Sequence, residues 1–382
     1  MGLRGFQPHV RDKAAADIEA DIRGGRLWGR RLPAEREMAA RLGISRFTLQ
    51  SALQLLECRG VIVRRHGSGT FAADKPGSPA SAKAGNKARV AVIAPAADLA
   101  AEDWTYYGDM ARGAVRGCQR RGVAALPLAL EEVWADGPGP RWDEAKNCEA
   151  FAVVSPRALP MVYALLKLRR GPVALLDGVL RDVPVIAVVD GSFEGARRAV
   201  RYLARLGHRR IAYLTPGEDP DAPHAKSHGY RAALDESGIA YDPELVCPDP
   251  GDSGEGHIPE GVERLLALAD PPTAVFAGND RKALAAWQAL EARGRRPGVD
   301  IALVGFGDTA SRLGKTQDLS SVRILTRRMG ESAVAALVEA GRRPVARTVI
   351  VPDSLMIRGS TCPPGATAPA AIGGDSNERT LS

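Results

Sequence analysis

Residues 32–73 read LPAEREMAARLGISRFTLQSALQLLECRGVIVRRHGSGTFAA, and this stretch decides the fold of the N-terminal end. Pro33 suits the first turn of a helix, where its missing N–H costs nothing. That helix runs through Met38 and Leu42 and stops at Gly43. Ser45 is a good N-cap for a second helix, because its hydroxyl can accept from an orphan amide of the first turn. On that second helix Leu49, Ala52, Leu53 and Leu56 recur at i, i+3, i+4 and i+7, which buries one stripe. Gly60 ends it. Val61-Ile62-Val63 and Thr70-Phe71-Ala72 then read as two strands joined by the turn Arg64–Gly69, a β-wing. Upstream, residues 9–23 predict a further helix with Ala15, Ile18 and Ile22 on one side.

Two helices joined by a tight glycine-containing turn and followed by a wing form a device for reading DNA. The second helix offers its N-terminal residues to the major groove. Here these are Ser45, Arg46, Phe47, Thr48 and Gln50. Arg46 can bind guanine O6 and N7 or a phosphate, and Gln50 can read an adenine edge. Arg36, early in the preceding helix, can reach the backbone or an adjacent base. The wing supplies Arg64, Arg65, His66 and Gly67. Charge agrees with this reading. Residues 1–75 hold fourteen Lys or Arg and eight Asp or Glu, so nearly all of the chain's net +7 lies there. Such asymmetry points to one end that meets a polyanion.

This segment resembles the GntR family of bacterial regulators. The family pattern runs close to LPSE-R-E-L-A, SR-x-T-V and G-x-G-T-F. The chain has LPAEREMA, SRFTL and GSGTF in that order and at that spacing. Ala34 stands where the family has Ser, which removes an N-cap. The resemblance implies a winged helix-turn-helix over residues 8–73, with DNA contacts at Arg36, Arg46, His66 and Gly67. Gln50 replaces an Arg that many relatives carry.

Beyond the head the composition changes. Residues 74–88 are rich in Pro, Gly, Ser, Ala and Lys and read as a flexible linker. From Arg89 onward, short apolar runs alternate with helix-length segments. The runs are 89–94, 151–154, 172–176, 185–189, 210–214, 273–277 and 301–305, with helices near 107–121, 192–206, 225–237 and 280–293. This alternation implies βαβ units and parallel sheets. About 270 residues are better accommodated by two lobes than by one sheet. Residues 362–382 are expected to be a disordered tail. The five cysteines lie far apart with no CxxC pair, so neither a zinc site nor a disulfide framework is expected. No apolar run approaches a membrane span, and the polar, basic MGLRGFQPHVRDK does not read as a secretory signal.

Residues 89–361 resemble the effector-binding body of the LacI/GalR family. The resemblance is carried by VVDGSFEGARRAVRYLARLGHRRIAYL (188–214), HAKSHGYRAALDESGI (224–239), the segment 271–308 and VPDSLMIRGST (351–361). The implied fold class is α/β multidomain: the winged head plus a two-lobed, Rossmann-like body of the periplasmic-binding-protein type, with a ligand cleft between the lobes. Ligands in such sheets sit at the carboxyl ends of strands. The resemblance places effector contacts at Asn279 and Asp280, at Lys226 where the family has Arg, and at Phe306 and Asp308 of GFGD. It adds Trp104, Tyr106 and Tyr107, aromatics able to stack on a sugar ring or a purine. Gly307 and Gly191 depart from family residues that are usually Asp and Asn.

The expected function is that of a cytoplasmic transcription regulator, a repressor. It would bind operator DNA as a homodimer under control of a small effector such as a sugar. The pairing of head and body resembles arabinose-repressor-like hybrid regulators. The alternatives are a solute-binding protein and a regulator sensing a nucleoside or purine. No catalytic set, metal cluster or cofactor motif is read. The glycine-rich 251–256 has no strand leading into it and no suitable helix after it, as a dinucleotide site would require.

Overall fold

The computed structural model describes residues 8–24, 31–44, 49, 52–53, 56, 61–65, 69–72, 88–101, 103–155, 158–216, 226–249, 257–314, 316–364 and 379–381. The head contains the helices Pro8–Arg23 and Glu35–Leu42 and the strands β1 (Ile62–Arg65) and β2 (Gly69–Ala72). The strands pair antiparallel from Ile62↔Ala72 to Arg65↔Gly69. The amide of Leu32 donates to the carbonyl of Thr70 at 2.8 Å, and Arg31 bridges Phe71, which extends the hairpin sideways.

The apolar stripe holds the head together. Leu49, Ala52, Leu53 and Leu56 are fully buried against Ile18, Ile22, Met38 and Ile62. Each buried leucine contributes about 1.5–3 kcal/mol relative to exposure. Both ends of the Glu35–Leu42 helix follow from single residues. Ala34 has an extended backbone and offers no side-chain cap. Gly43 closes the helix at φ +65°, a left-handed conformation, and the next amide, of Ile44, returns to the carbonyl of Ala39 at 3.1 Å. A side chain at that φ costs roughly 1–2 kcal/mol.

The chain divides into two compact units, Met1–Ala187 with Gly330–Arg347, and Val188–Met329 with Thr348–Ser382. It passes from one to the other three times. The body strands, in chain order, are β3 (Arg89–Ala94), β4 (Ala124–Ala129), β5 (Ala150–Val154), β6 (Val173–Leu176) and β7 (Val185–Asp190). Then come β8 (Ile211–Pro216), β9 (Val246–Asp249), β10 (Ala274–Ala277), β11 (Ala302–Gly307) and β12 (Ser320–Arg323). β13 (Arg347–Val351), β14 (Ser354–Ile357) and β15 (Arg379–Leu381) close the fold.

One sheet has the order β13-β7-β6-β5-β3-β4. In it β3 pairs parallel with β4 and β5, and β5 pairs parallel with β6. β5 and β6 are buried at every residue, as expected of parallel strands covered on both faces. The sheet of the second unit has the order β15-β14-β12-β11-β10-β8-β9. There β9, β8, β10, β11 and β12 run parallel, and β14 and β15 add antiparallel pairs.

Two parts of the segment 362–382, expected to be a disordered tail, are among the described residues. Cys362 is buried, and its carbonyl lies 2.7 Å from His208 Nε2. Residues 379–381 form β15 along β14, pairing Leu355↔Leu381 through Ile357↔Arg379. An open edge strand presents unpaired amides and carbonyls, and a short polar segment with β-compatible residues satisfies them.

Candidate functional site

Ligands of open α/β sheets bind where the strands end and the helices begin. In the second unit that edge collects the ends of β10, β11 and β12. Phe276 of β10 pairs with Val304, and Gly307, the last residue of β11, pairs with Arg323, the last residue of β12. Arg323 pairs in turn with Ser354, the first residue of β14. The side chains at this edge form a linked polar set.

Asn279 and Asp280 follow β10 directly. Asn279 is the N-cap of the helix Asp280–Ala292, its side-chain oxygen accepting from the Lys282 amide at 2.8 Å. Asp280 is 1% exposed. Its Oδ1 accepts from the Ser321 hydroxyl at 2.6 Å, and its Oδ2 accepts from the Ala310 amide at 3.1 Å and the Thr309 hydroxyl at 3.4 Å. Gly305 lies so close to Oδ1 that a Cβ there would collide with it. Burial raises the Asp280 carboxyl above the ordinary carboxylate range, opposed in part by the bond from Ser321. Asp280, expected to receive ligand hydroxyls, therefore already has protein donors on both oxygens. Its oxygens are committed to β12 and to the turn after β11, so Asp280 positions those segments.

Asp308 is fully buried with φ +55°. Two arginines converge on it: Arg323 Nε lies 2.5 Å from Oδ2 and Arg358 Nη1 lies 2.8 Å from Oδ1. Its amide donates to Ser321 Oγ at 3.0 Å, so one serine joins Asp280 and Asp308. Asp308, expected as a direct ligand contact, is thus neutralised by the two arginines. Arg323 is 27% exposed and is the member of this set that reaches the surface. Phe306 is 2% exposed, and Lys226, which opens the helix Lys226–Glu236, holds its Nζ 4.7 Å from the ring centroid. A cation over an aromatic face is a stabilising pair. The loop after β13 adds Asp353, 5% exposed, with Asp190 beside it.

The first unit carries a second set. Tyr106 and Tyr107 begin the helix Tyr106–Arg120, with Thr105 as N-cap. Their rings meet edge to face at 5.2 Å. Both phenols donate to Asp177, at 3.2 Å and 3.1 Å. Asp177 directly follows β6 and has φ +60°. An aspartate held in that conformation by two phenols is a constructed feature at a strand end. Trp104, just upstream, is half-buried.

Sequence reasoning missed Asp177, Arg323, Arg358 and Asp353. A lone Asp directly after an apolar strand was the available signal for Asp177, and Asp353 follows Pro352 between two strands. In the head, Arg36 is exposed on the Glu35–Leu42 helix. Arg64 and Arg65 lie in β1. Ser45, Arg46, Phe47, Thr48, Gln50, His66 and Gly67 lie outside the described residues. Among the described residues no group of three or more His, Cys, Asp or Glu side chains is arranged to hold a metal, and no helix is long and apolar enough to cross a membrane.

The chain matches two family models. Residues 10–72 match the bacterial regulatory proteins of the gntR family, and residues 200–361 match a periplasmic binding protein-like domain. The probable HTH-type transcriptional repressor ExuR of Bacillus subtilis is 33% identical over 152 residues, covering 40% of this chain and 45% of that protein. A LacI-family regulatory protein from Chloroflexus aggregans superposes with TM-score 0.57 at 24% identity, covering 71% of this chain and 98% of that one. A LacI-family regulator from Enterococcus faecium with bound ribose gives TM-score 0.54 at 22% identity, covering 72% and 99%. The chain spans about half the length of the curated relatives it matches. It therefore joins a gntR-type helix-turn-helix head to a periplasmic-binding-protein-like body, whose fold is similar to that of solved LacI-family regulators.

Proposed function

We propose that the protein is a cytoplasmic transcription repressor that binds operator DNA as a homodimer and senses a small polyhydroxylated effector in its body. The observation that carries this reading is the joining, in one chain, of a gntR-matched head to a body whose strand ends gather Lys226, Arg323, Asp190 and Asp353 at one edge. The bound ribose of the Enterococcus faecium regulator supports a sugar as the effector class. The chain acts by binding, without catalysis.

In the head, the buried Leu49 and Leu53 anchor a helix that would present Ser45, Arg46, Phe47, Thr48 and Gln50 to the major groove. Arg64, Arg65, His66 and Gly67 of the wing and Arg36 would hold the flanking phosphates. Electrophoretic mobility shift on DNA from the protein's own promoter region tests the reading. Retarded DNA is expected at low salt, with Arg46→Ala weakening it roughly 5- to 150-fold, the range of one base-reading arginine. Absence of any retardation at low salt overturns the regulator reading. A sedimentation profile of monomer alone, free and on DNA, overturns the homodimer.

A further inference from the structure

Four carboxylates stand at the effector edge of the second unit: Asp190 is engaged by the Ser192 hydroxyl, and Asp280 and Asp308 are fully committed. Asp280 accepts from three donors and Asp308 lies between two arginines. Asp353 differs. It is 5% exposed, and neither of its carboxylate oxygens has a hydrogen-bond partner among the described residues. The Gly191 amide leans toward it without forming a well-made bond.

Its place is set by the sheet. Ser354 pairs with the last residue of β12, so Asp353 lies where β11 and β12 end. Its Oδ2 rests over Gly195, where a Cβ would come within 2.9 Å of that oxygen and 3.0 Å of the Phe306 ring. The charged groups facing it come from several elements. Asp190 ends β7, and its Oδ1 is engaged by the Ser192 hydroxyl at 2.7 Å. Lys226 approaches from its own helix, and Arg198 donates to the Asp353 backbone carbonyl at 2.6 Å. Two cations against two carboxyls leave no net negative charge to recruit an ammonium group. Burial first, and Asp190 second, push the Asp353 carboxyl up to about 8. A buried polar group without a partner is costly, and such groups persist at sites with a role.

We propose that Asp353 is a ligand-binding residue whose two oxygens receive the hydroxyl groups of a vicinal diol on a polyol effector. This rests on the reading of that edge as the effector site. Hydroxyls fit because they are neutral and donate, one to each oxygen, and a carboxyl still holding its proton accepts through the remaining lone pairs.

The test uses the full chain and its variants Asp353→Asn and Asp353→Ser in thermal unfolding. The probes are D-ribose, D-galactose, D-glucose and D-glucuronate, with 2-deoxy-D-ribose and adenine as comparisons. The wild type is expected to be stabilised by at least one of the four polyols, with at least tenfold weaker apparent affinity in both variants. Without ligand, Asp353→Asn is expected to melt above the wild type. It is also expected to lose the decline in stability between about pH 4 and pH 8, because an acid whose folded pKa is raised loses its stabilising contribution as pH rises through that window. Equal polyol responses in wild type and variants overturn the proposal, as does a wild type that responds to adenine and to no polyol, or to none of the probes. These outcomes leave DNA retardation intact if the regulator reading is right, so the two fail separately.

Discussion

Replacing Asp280 by alanine is expected to destabilise the body rather than to silence it. The side chain is 1% exposed and joins three places: Ser321 on β12, and Ala310 and Thr309 in the turn after β11. Alanine leaves the Ala310 amide buried without an acceptor, which costs about 1–3 kcal/mol. The space vacated by the carboxylate adds about 1 kcal/mol, given that Gly305 packs against it. The sum is about 2–4 kcal/mol, or roughly 4–16 °C in melting temperature at about 2–4 °C per kcal/mol for a domain of this size. Asp280→Asn is the matched control. The amide has nearly the shape of the carboxyl, whose charged form burial disfavours. The amide oxygen can face Ala310 while its NH2 faces Ser321, and the loss should stay near 1 kcal/mol. Urea unfolding followed by tryptophan fluorescence measures both. An Asp280→Ala protein within about 0.5 kcal/mol of the wild type, inside the range of an ordinary surface substitution, that no longer responds to any effector would refute the reasoning and restore Asp280 as a ligand contact.

Ala34→Ser restores the missing N-cap of the Glu35–Leu42 helix and is expected to stabilise the head by about 1 kcal/mol, read from its thermal transition. Gly43→Ala meets nothing within 4 Å yet stands at φ +65°, so it is expected to cost about 1 kcal/mol from backbone strain alone. His208 is fully buried between Thr273 and Cys362, and burial lowers its pKa. The unfolded imidazole takes up its proton near pH 6.5, so stability is full above that value and falls as pH drops through the window below it; His208→Gln should flatten this part of the profile in urea titrations. On DNA, Arg36→Ala is expected to weaken binding evenly across sequences and to reduce the slope of log affinity against log salt by about one, measured by fluorescence anisotropy.

Strands and helices with strong periodicity were legible in the sequence. The runs at 89–94, 185–189 and 301–305 became β3, β7 and β11, and the helix expected near 192–206 spans Ser192–Arg205. The stripe Leu49, Ala52, Leu53 and Leu56 is buried as the spacing requires. Shorter or polar elements were not legible. β12 reads Ser-Ser-Val-Arg and β14 reads Ser-Leu-Met-Ile, and neither alternates cleanly; the serines of β12 bond across the chain to Ser360, Arg358 and Asp280. The candidate site was legible only in part for the same reason. Asn279-Asp280 and Phe306 through Asp308 marked the correct edge, since a polar turn after a buried strand is visible locally. Which carboxylate is occupied depends on residues far away in the chain. Arg358 reaches Asp308 across about fifty positions, and no local pattern in VPDSLMIRGST announces that contact.

The occupancy of these carboxylates decides what an effector can gain from each. An effector alters operator affinity only by binding the DNA-free and DNA-bound forms unequally. A hundredfold change requires about 2.7 kcal/mol of differential affinity. A hydroxyl that engages Asp308 must first displace Arg323 or Arg358, and breaking a buried ion pair costs about 3–5 kcal/mol. At Asp280 the hydroxyl competes with Ser321 and with the Ala310 amide, so it exchanges one bond for another. Asp353 has no such partner to lose among the described residues. A hydrogen bond to a neutral acceptor contributes about 0.5–1.5 kcal/mol, so the two that a diol makes at Asp353 reach about 1–3 kcal/mol, and there the gain is not offset by a displaced bond. The energy needed for a hundredfold switch is therefore within reach of Asp353 and out of reach of its two neighbours. Effector titrations of Asp353→Asn, Asp308→Asn and Asp280→Asn should rank the loss of response in that order, normalised to folded protein, and a larger loss at Asp308 would reverse the argument.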